Sequence, residues 1–281
     1  MFDPEEFRAQ SRETWEAHAP GWGDGAEIFY DATLPVSHWM VDHLEPQPGH
    51  TILEVGAGRG DTGLLAAELV QPGGRTIITD GAEAMVELAR QHGKARGAKG
   101  VEFRPMELEW LDERTATVDG ILGRFAYMLT VDPEAAFREA RRVLKPGGRL
   151  VTAVWAAREA NPWHTSARAP VELGLAPPPD PTIPGPFALS ADGLLADLLE
   201  AAGFDVLVVE PIDIAFSAPS LDAVFDMQRQ MSPSLQALTK SLSPADVYRL
   251  RDAIDASWAP YVGDDGAVAI PGRVIGAAAE A

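Results

Sequence analysis

The chain has 281 residues, of which 46% are hydrophobic, with a formal net charge of -19 and no cysteine. The apolar content is enough for one substantial core. The missing cysteine excludes disulfides, thiolate metal sites and cysteine nucleophiles, and the acid surplus argues against nucleic acid or anionic lipid as partner. No stretch approaches the ~20 apolar residues of a membrane span, and the start MFDPEEFRAQSRETW is acidic where a signal peptide would be basic and then apolar, so a cytoplasmic protein is expected.

In chain order, residues 1-45 are expected to form an N-terminal helical cap and 46-281 the core. Within the core, QPGHTILEVG (47-56), QPGGRTIITD (71-80) and KPGGRLVTAVW (145-155) share one grammar. A Pro-Gly turn launches a short run rich in Ile, Val, Leu and Thr, which reads as a buried strand. Two more strands are expected at Val101-Arg104 and Val118-Leu122. Helical patterns lie between them in DTGLLAAELV, AEAMVELARQHGKARG and DPEAAFREARRVL, the last opening on an Asp-Pro start signal. Strand alternating with helix implies parallel pairing, because parallel neighbours need a crossover. The expected fold class is therefore α/β: a Rossmann-like open sheet, mostly parallel, with helices on both faces.

After Trp155 the pattern changes. Residues 158-189 hold ANPWHTSARAP and the proline cluster LAPPPDPTIPGPF, which should give a surface loop without long regular elements. A helix from Ser190 to Ala202 closes on Gly203, and FDVLVVEPIDIAF follows as a long strand. Residues 220-259 read as three helices separated by Ser-Pro at 232-233 and 243-244, and GAVAIPGRVIGAAAEA as a final strand. A helical insertion, 217-262, thus interrupts the sheet between its last two strands. With the 158-189 loop it is expected to form a substrate lid.

The chemistry concentrates in ILEVGAGRGDTG (52-63), an apolar run breaking into a glycine loop. Gly58, Gly60 and Gly63 fit the G-x-G-x-x-G of a dinucleotide pyrophosphate site, and the same letters fit a loop for an adenosyl cofactor. In an open parallel sheet such a loop lies at the switch point where ligands bind. Glu54 would discriminate: beside a pyrophosphate its carboxylate would cost on the order of 1 kcal/mol or more, whereas an ammonium and sulfonium would be attracted. Asp80, ending the next strand, can hold ribose hydroxyls of either cofactor, and Glu107 after VEFRP could accept from an adenine amino group.

ILEVGAGRG, TIITD, VEFRPMELEWL, VDGILGRF and VLKPGGRLVTAVW, in this order, resemble the motifs of the class I S-adenosylmethionine-dependent methyltransferases, especially the small-molecule branch that includes quinone-biosynthesis enzymes. The likeness covers roughly residues 48-156, and WEAHAPGW and LLEAAGF extend it. It implies that Glu54, Gly56, Gly58 and Gly60 surround the methionine part of S-adenosylmethionine and that Asp80 holds the ribose. It also implies that Gly81 lies against adenine, that Glu107 and the Leu108 amide read its edge, and that Gly123 and Arg124 offer backbone near the amino-acid end.

Aromatic and sulfur residues in the segments that cap the sheet's carboxyl edge suggest a mainly apolar substrate pocket: Trp22, Phe29, Tyr30, Tyr127, Trp155, Met227 and Met231. None of the six histidines shows metal-ligand spacing, so no metal is expected; His18 and His164 border the substrate segments and are the candidates for a general base. The expected activity is methyl transfer from S-adenosylmethionine to an O, C or N atom of a small, mostly apolar metabolite. The alternatives are an NAD-linked oxidoreductase and a non-methylating S-adenosylmethionine-binding protein of the same fold. A small molecule is the expected partner, with neither nucleic acid nor membrane, and a homodimer stays open.

Overall fold

The computed structural model describes residues 3-180 and 183-281. Met1 and Phe2 of the expected cap, and Pro181 and Thr182 of the expected loop, lie outside the described residues. Asp3 caps α1 (Pro4–Asp24), its carboxylate accepting the Glu5 and Glu6 amides while Pro4 occupies the first turn, where no amide hydrogen is needed. α2 (Glu27–Leu44) follows and closes on Glu45 in the left-handed region. These two helices occupy the segment in which a helical cap is expected.

The core then alternates. β1 (Thr51–Glu54), α3 (Asp61–Leu69), β2 (Arg75–Asp80), α4 (Glu83–Ala95), β3 (Val101–Pro105), β4 (Val118–Arg124), α5 (Pro133–Val143) and β5 (Leu144–Trp155) make up the parallel part. Ile52 and Leu53, and all four residues from Thr76 to Thr79, are buried, as strands covered on both faces require. α6 (Thr165–Glu172) and α7 (Leu194–Ala201) lead to β6 (Asp205–Ala218). Then come α8 (Leu221–Met231), α9 (Pro233–Ser241), α10 (Pro244–Trp258) and β7 (Val268–Glu280). The serines at 220, 232 and 243 each cap one of the three inserted helices.

The seven strands form one sheet in the order β3-β2-β1-β4-β5-β7-β6. The pairs from β3 to β5 are parallel, and β7 runs antiparallel between β5 and β6. β1 has β2 on one side and β4 on the other, so the sheet's switch point lies at its carboxyl end. One expectation needs correcting. Residues 158-189 hold α6, because the turn Pro162–His164 runs directly into it and Pro170 comes too late in this short helix to stop it starting.

Candidate functional site

The glycine turn is built by backbone geometry. Gly56, Gly58 and Gly60 all have positive φ, between 54° and 79°, which side-chain-bearing residues rarely adopt. A Cβ on Gly56 would come within 2.5 Å of Ala126 Cβ, whereas one on Gly58 would stand in open space. The turn therefore leaves a cradle at Gly58 that a side chain would fill. Asp80 braces it from the next strand, Oδ2 accepting the Gly58 amide at 2.9 Å and Oδ1 the Ala82 amide at 3.0 Å. Burial pushes the Asp80 carboxyl up to about 6 although these two amides favour its ionised form.

Glu54 departs from its expected role. Its side chain is buried and points toward α3, where a Cβ on Gly63 would overlap Oε2. Burial raises its carboxyl to about 8, against the opposing pull of Arg124 and the Gly63 amide, so at neutral pH it is mainly protonated. Oε2 has no hydrogen-bond partner among the described residues. A neutral carboxyl facing the helix cannot screen ligands by charge. Contrary to expectation, Glu54 does not turn a repelling charge toward a ligand in the glycine turn, and the missing side chain of Gly63 lets α3 close onto β1.

Outside the turn lies a cavity with about 980 Å³ of empty space, its mouth included. It is lined by Gly56 to Arg59, Asp80, Gly81, Glu107 and Leu108 and by an aromatic and apolar set, Trp22, Phe29, Tyr30, Phe125 and Leu129. α1 roofs it with Phe7, Arg8, Ser11, Arg12 and Trp15. Two long-range ion pairs pin the roof: Arg8 to Glu109 at 2.7 Å, both largely buried, and Arg12 to Glu107 at 2.7 Å. Glu16 adds a third tie by accepting the Glu83 and Ala84 amides at the start of α4.

A basic cluster borders the turn. Arg59 donates two hydrogen bonds to Asp61 and one to Glu27, with its guanidinium 3.5 Å over the Tyr30 ring. Arg124 Nη1 donates to Thr33 Oγ1 at 2.7 Å. Burial and the nearby Asp61 hold the Tyr30 phenol above its ordinary range, so it stays protonated.

The cavity brings together Gly56, Gly58, Asp80, Gly81, Glu107, Leu108, Arg124, Trp22, Phe29 and Tyr30 from the expected sites. Others lie elsewhere. Gly60 serves as the left-handed N-cap of α3, and Gly123 gives room to the Tyr127 ring, 2.6 Å from where its Cβ would be. Tyr127 stacks on Phe137 in the core, and Trp155 stacks one ring behind the cavity wall, 4.3 Å from Phe125. Met227 is buried in the core and Met231 packs against it, because the apolar side of α8 faces β6 and α2. Neither candidate base lines the cavity. His18 Nδ1 donates to the Thr14 carbonyl at 2.6 Å on its own helix. His164 packs against Trp163 and Phe187, where burial with Arg158 and Arg168 lowers it to about 4. No described residue of the 158-189 loop or of the insertion lines this cavity, whereas α1 does, so the described part of the expected lid does not stand over it.

Arg8, Arg12, Arg59 and Phe125 went unnoticed in the sequence. Phe125 carried one signal, its place directly after the fourth strand; its φ of 59° is uncommon for a bulky residue and aims the ring at the cavity wall.

Residues 52–148 match the family model described as a methyltransferase domain. Over 210 residues the chain is 30% identical to nocamycin O-methyltransferase of Saccharothrix syringae, covering 69% of this chain and 75% of that protein. The chain belongs to the S-adenosylmethionine-dependent methyltransferases. A ubiquinone/menaquinone biosynthesis C-methyltransferase of Acidiphilium cryptum is 35% identical over 112 residues, 40% of this chain and 44% of that enzyme, so this likeness spans under half of that relative. The YcgJ protein of Bacillus subtilis shares the fold with a TM-score of 0.58, at 19% identity over 88% of this chain and 98% of the other. The methyltransferase therefore takes S-adenosylmethionine as cofactor and acts on small molecules. No helix among its described residues is long and apolar enough to cross a membrane.

Proposed function

We propose that this methyltransferase transfers a methyl group to an oxygen, carbon or nitrogen atom of a small, mostly apolar metabolite held against the aromatic wall of the cavity. The observation that carries the reading is the mixed lining of that cavity, in which a glycine cradle and a carboxylate are joined by Trp22, Phe29, Phe125 and Leu129.

The cofactor supplies, when bound, a methyl group already activated on a sulfonium. The protein's part is to bind, orient and exclude water. The open space at Gly58 fits close approach of a ligand to backbone, and Asp80 keeps lone pairs for ribose hydroxyls beyond those given to Gly58 and Ala82. Glu107 and the Leu108 amide would face the adenine edge, with Arg12 holding Glu107 in place. Phe29 and Phe125, their rings 6.2 Å apart and edge-on, would set the acceptor in line. Such positioning can contribute up to roughly 7-11 kcal/mol in well-oriented reactions.

The cap of residues 1-45 serves in this reading as the cofactor's roof, and the insertion backs it: Gly21 lets the Gln230 carbonyl of α8 press directly against α1. The two named relatives transfer to O and to C, so a test panel needs both kinds of acceptor. Incubation with S-adenosylmethionine and planar phenols, carboxylic acids, 1,3-dicarbonyls and amines should give a single-methyl mass gain in one class. A complex with S-adenosylhomocysteine bound away from the Gly58 cradle would overturn the site.

A further inference from the structure

Resting on the proposed methyl transfer in this cavity, we infer that the acceptor is a weak acid that gives up its own proton to water near neutral pH. The class comprises the enols of 1,3-dicarbonyls, electron-poor phenols and carboxylic acids. A hydroxyl, an enol or an alkylammonium must lose a proton to become a good nucleophile. A protein that removes it needs a group of suitable basicity within hydrogen-bond reach.

Among the described residues that line the cavity, none is placed to do this. The lining contains no histidine and no lysine. Its four cations, Arg8, Arg12, Arg59 and Arg124, are guanidiniums, which carry donors only and accept no proton. Its three carboxylates already have partners. Arg8 Nε donates to Glu109 Oε2 and the Asp132 amide to Oε1, both at 2.7 Å, and this side chain is 5% exposed. Asp80 accepts the Gly58 amide on one oxygen and the Ala82 amide on the other. Arg12 donates to Glu107 Oε1 at 2.7 Å, and Oε2 stands 3.3 Å from where a Cβ on Gly81 would be, beside the residues assigned to the cofactor. The Tyr30 hydroxyl donates to the Trp22 carbonyl at 3.2 Å, and burial with Asp61 nearby keeps the phenol protonated. Ser11 and Thr130 are hydroxyls that would themselves need an adjacent base.

The acceptor therefore has to bring an electron pair that is already free. Its proton goes to bulk water. In the cavity the oxygen or carbon anion bonds to the methyl carbon as the carbon–sulfur bond breaks with its electron pair left on sulfur, so anion and sulfonium become a neutral methylated product and a thioether. At pH 7 a phenol with a pKa of about 10 is ionised in about one molecule in a thousand, and an acid with a pKa near 7 in about half. Ionisation alone thus ranks acceptors of equal size.

The test uses three acceptors of similar size with the full chain and S-adenosylmethionine: 2-hydroxy-1,4-naphthoquinone, 2-naphthol and 2-naphthalenemethanol. Mass spectrometry should show the hydroxyquinone methylated at neutral pH, 2-naphthol at least about tenfold less efficiently, and 2-naphthalenemethanol unchanged. The acid limb of kcat/KM should move from the first acceptor to the second by the difference between their own pKa values. Tyr30→Phe and Glu109→Gln, whatever they do to the rate, should leave that limb in place. A limb fixed at one pH for both acceptors, a limb lost in either variant, or methylation of 2-naphthalenemethanol would overturn the inference and leave methyl transfer in this cavity standing. Methylation of none of the three would also overturn it. If calorimetry then shows no binding of S-adenosylhomocysteine, the cofactor placement falls with it.

Discussion

Asp80 Oδ2 accepts the Gly58 amide hydrogen at 2.9 Å, so the tip of the glycine turn is fastened to the end of the neighbouring strand before any ligand arrives. The same carboxylate is the ribose candidate, and its replacement should act on both jobs. Asp80→Ala is expected to weaken S-adenosylhomocysteine at least tenfold, with Asp80→Asn falling between. Calorimetry with unchanged affinity in the Ala variant would remove Asp80 from the cofactor site.

Glu54 gives a pH signature. Its folded-state pKa, about 8, is raised above the ordinary 4.5 by burial. An acid of this kind adds stability fully below pH 4.5 and loses it as pH rises through 8. Asp80, raised to about 6, acts in the same direction over a lower window. Glu54→Gln should therefore stabilise the protein at pH 8 but hardly at pH 5, the difference being on the order of a few kcal/mol. Denaturant titrations of both proteins at the two pH values check this, and equal shifts at both would refute it.

Gly21 sits where α1 crosses α8, and any Cβ there would overlap the Gln230 carbonyl. Because backbone cannot swing aside like a long side chain, Gly21→Ala should cost about 1-3 kcal/mol despite alanine's better helix propensity. The expected fall in Tm is several degrees, at about 2-4 °C per kcal/mol for chains near this size. An unchanged or raised Tm in a thermal melt would show that the two helices are not locked there.

Phe125 lines the cavity from the end of β4, outside the glycine turn itself. Phe125→Ala should lower kcat/KM for apolar acceptors by about tenfold or more and leave S-adenosylhomocysteine affinity within about twofold, since the ring lies beyond the turn. Steady-state kinetics paired with calorimetry separates these. Loss of cofactor affinity with unchanged acceptor kinetics would reverse the assignment.

The parallel half of the sheet was legible because its punctuation is local. Gly49 and Gly73 of the first two Pro-Gly turns take positive φ and their strands follow at once, while Gly147 of the third takes positive φ within β5, which already starts at Leu144. Asp80 and Gly58 were legible for the same reason: each sits a fixed number of residues from a strand end. Glu54 was read at the right position but with the wrong orientation, because which way an end-of-strand side chain turns depends on Gly63 and the packing of α3. α1 was the hardest element. Phe7, Ser11 and Trp15 recur every four residues on one side, but arginines, glutamates and a serine among them look like a solvated face. Arg8 to Glu109 and Arg12 to Glu107 join residues about a hundred positions apart, and no local pattern announces such a pair. The place of β7 between β5 and β6 was equally hidden, since its alanine-rich run states that it is buried but not beside what.

That place of β7 governs how the polypeptide can be made. While a ribosome is still producing residues before Val268, β5 and β6 have no common neighbour to join them, and each offers an open row of amides and carbonyls to any passing strand. The sheet can be completed between β5 and β6 only once Val268–Glu280 has been made. Synthesis therefore passes through an interval in which a holding chaperone has a defined edge to shield.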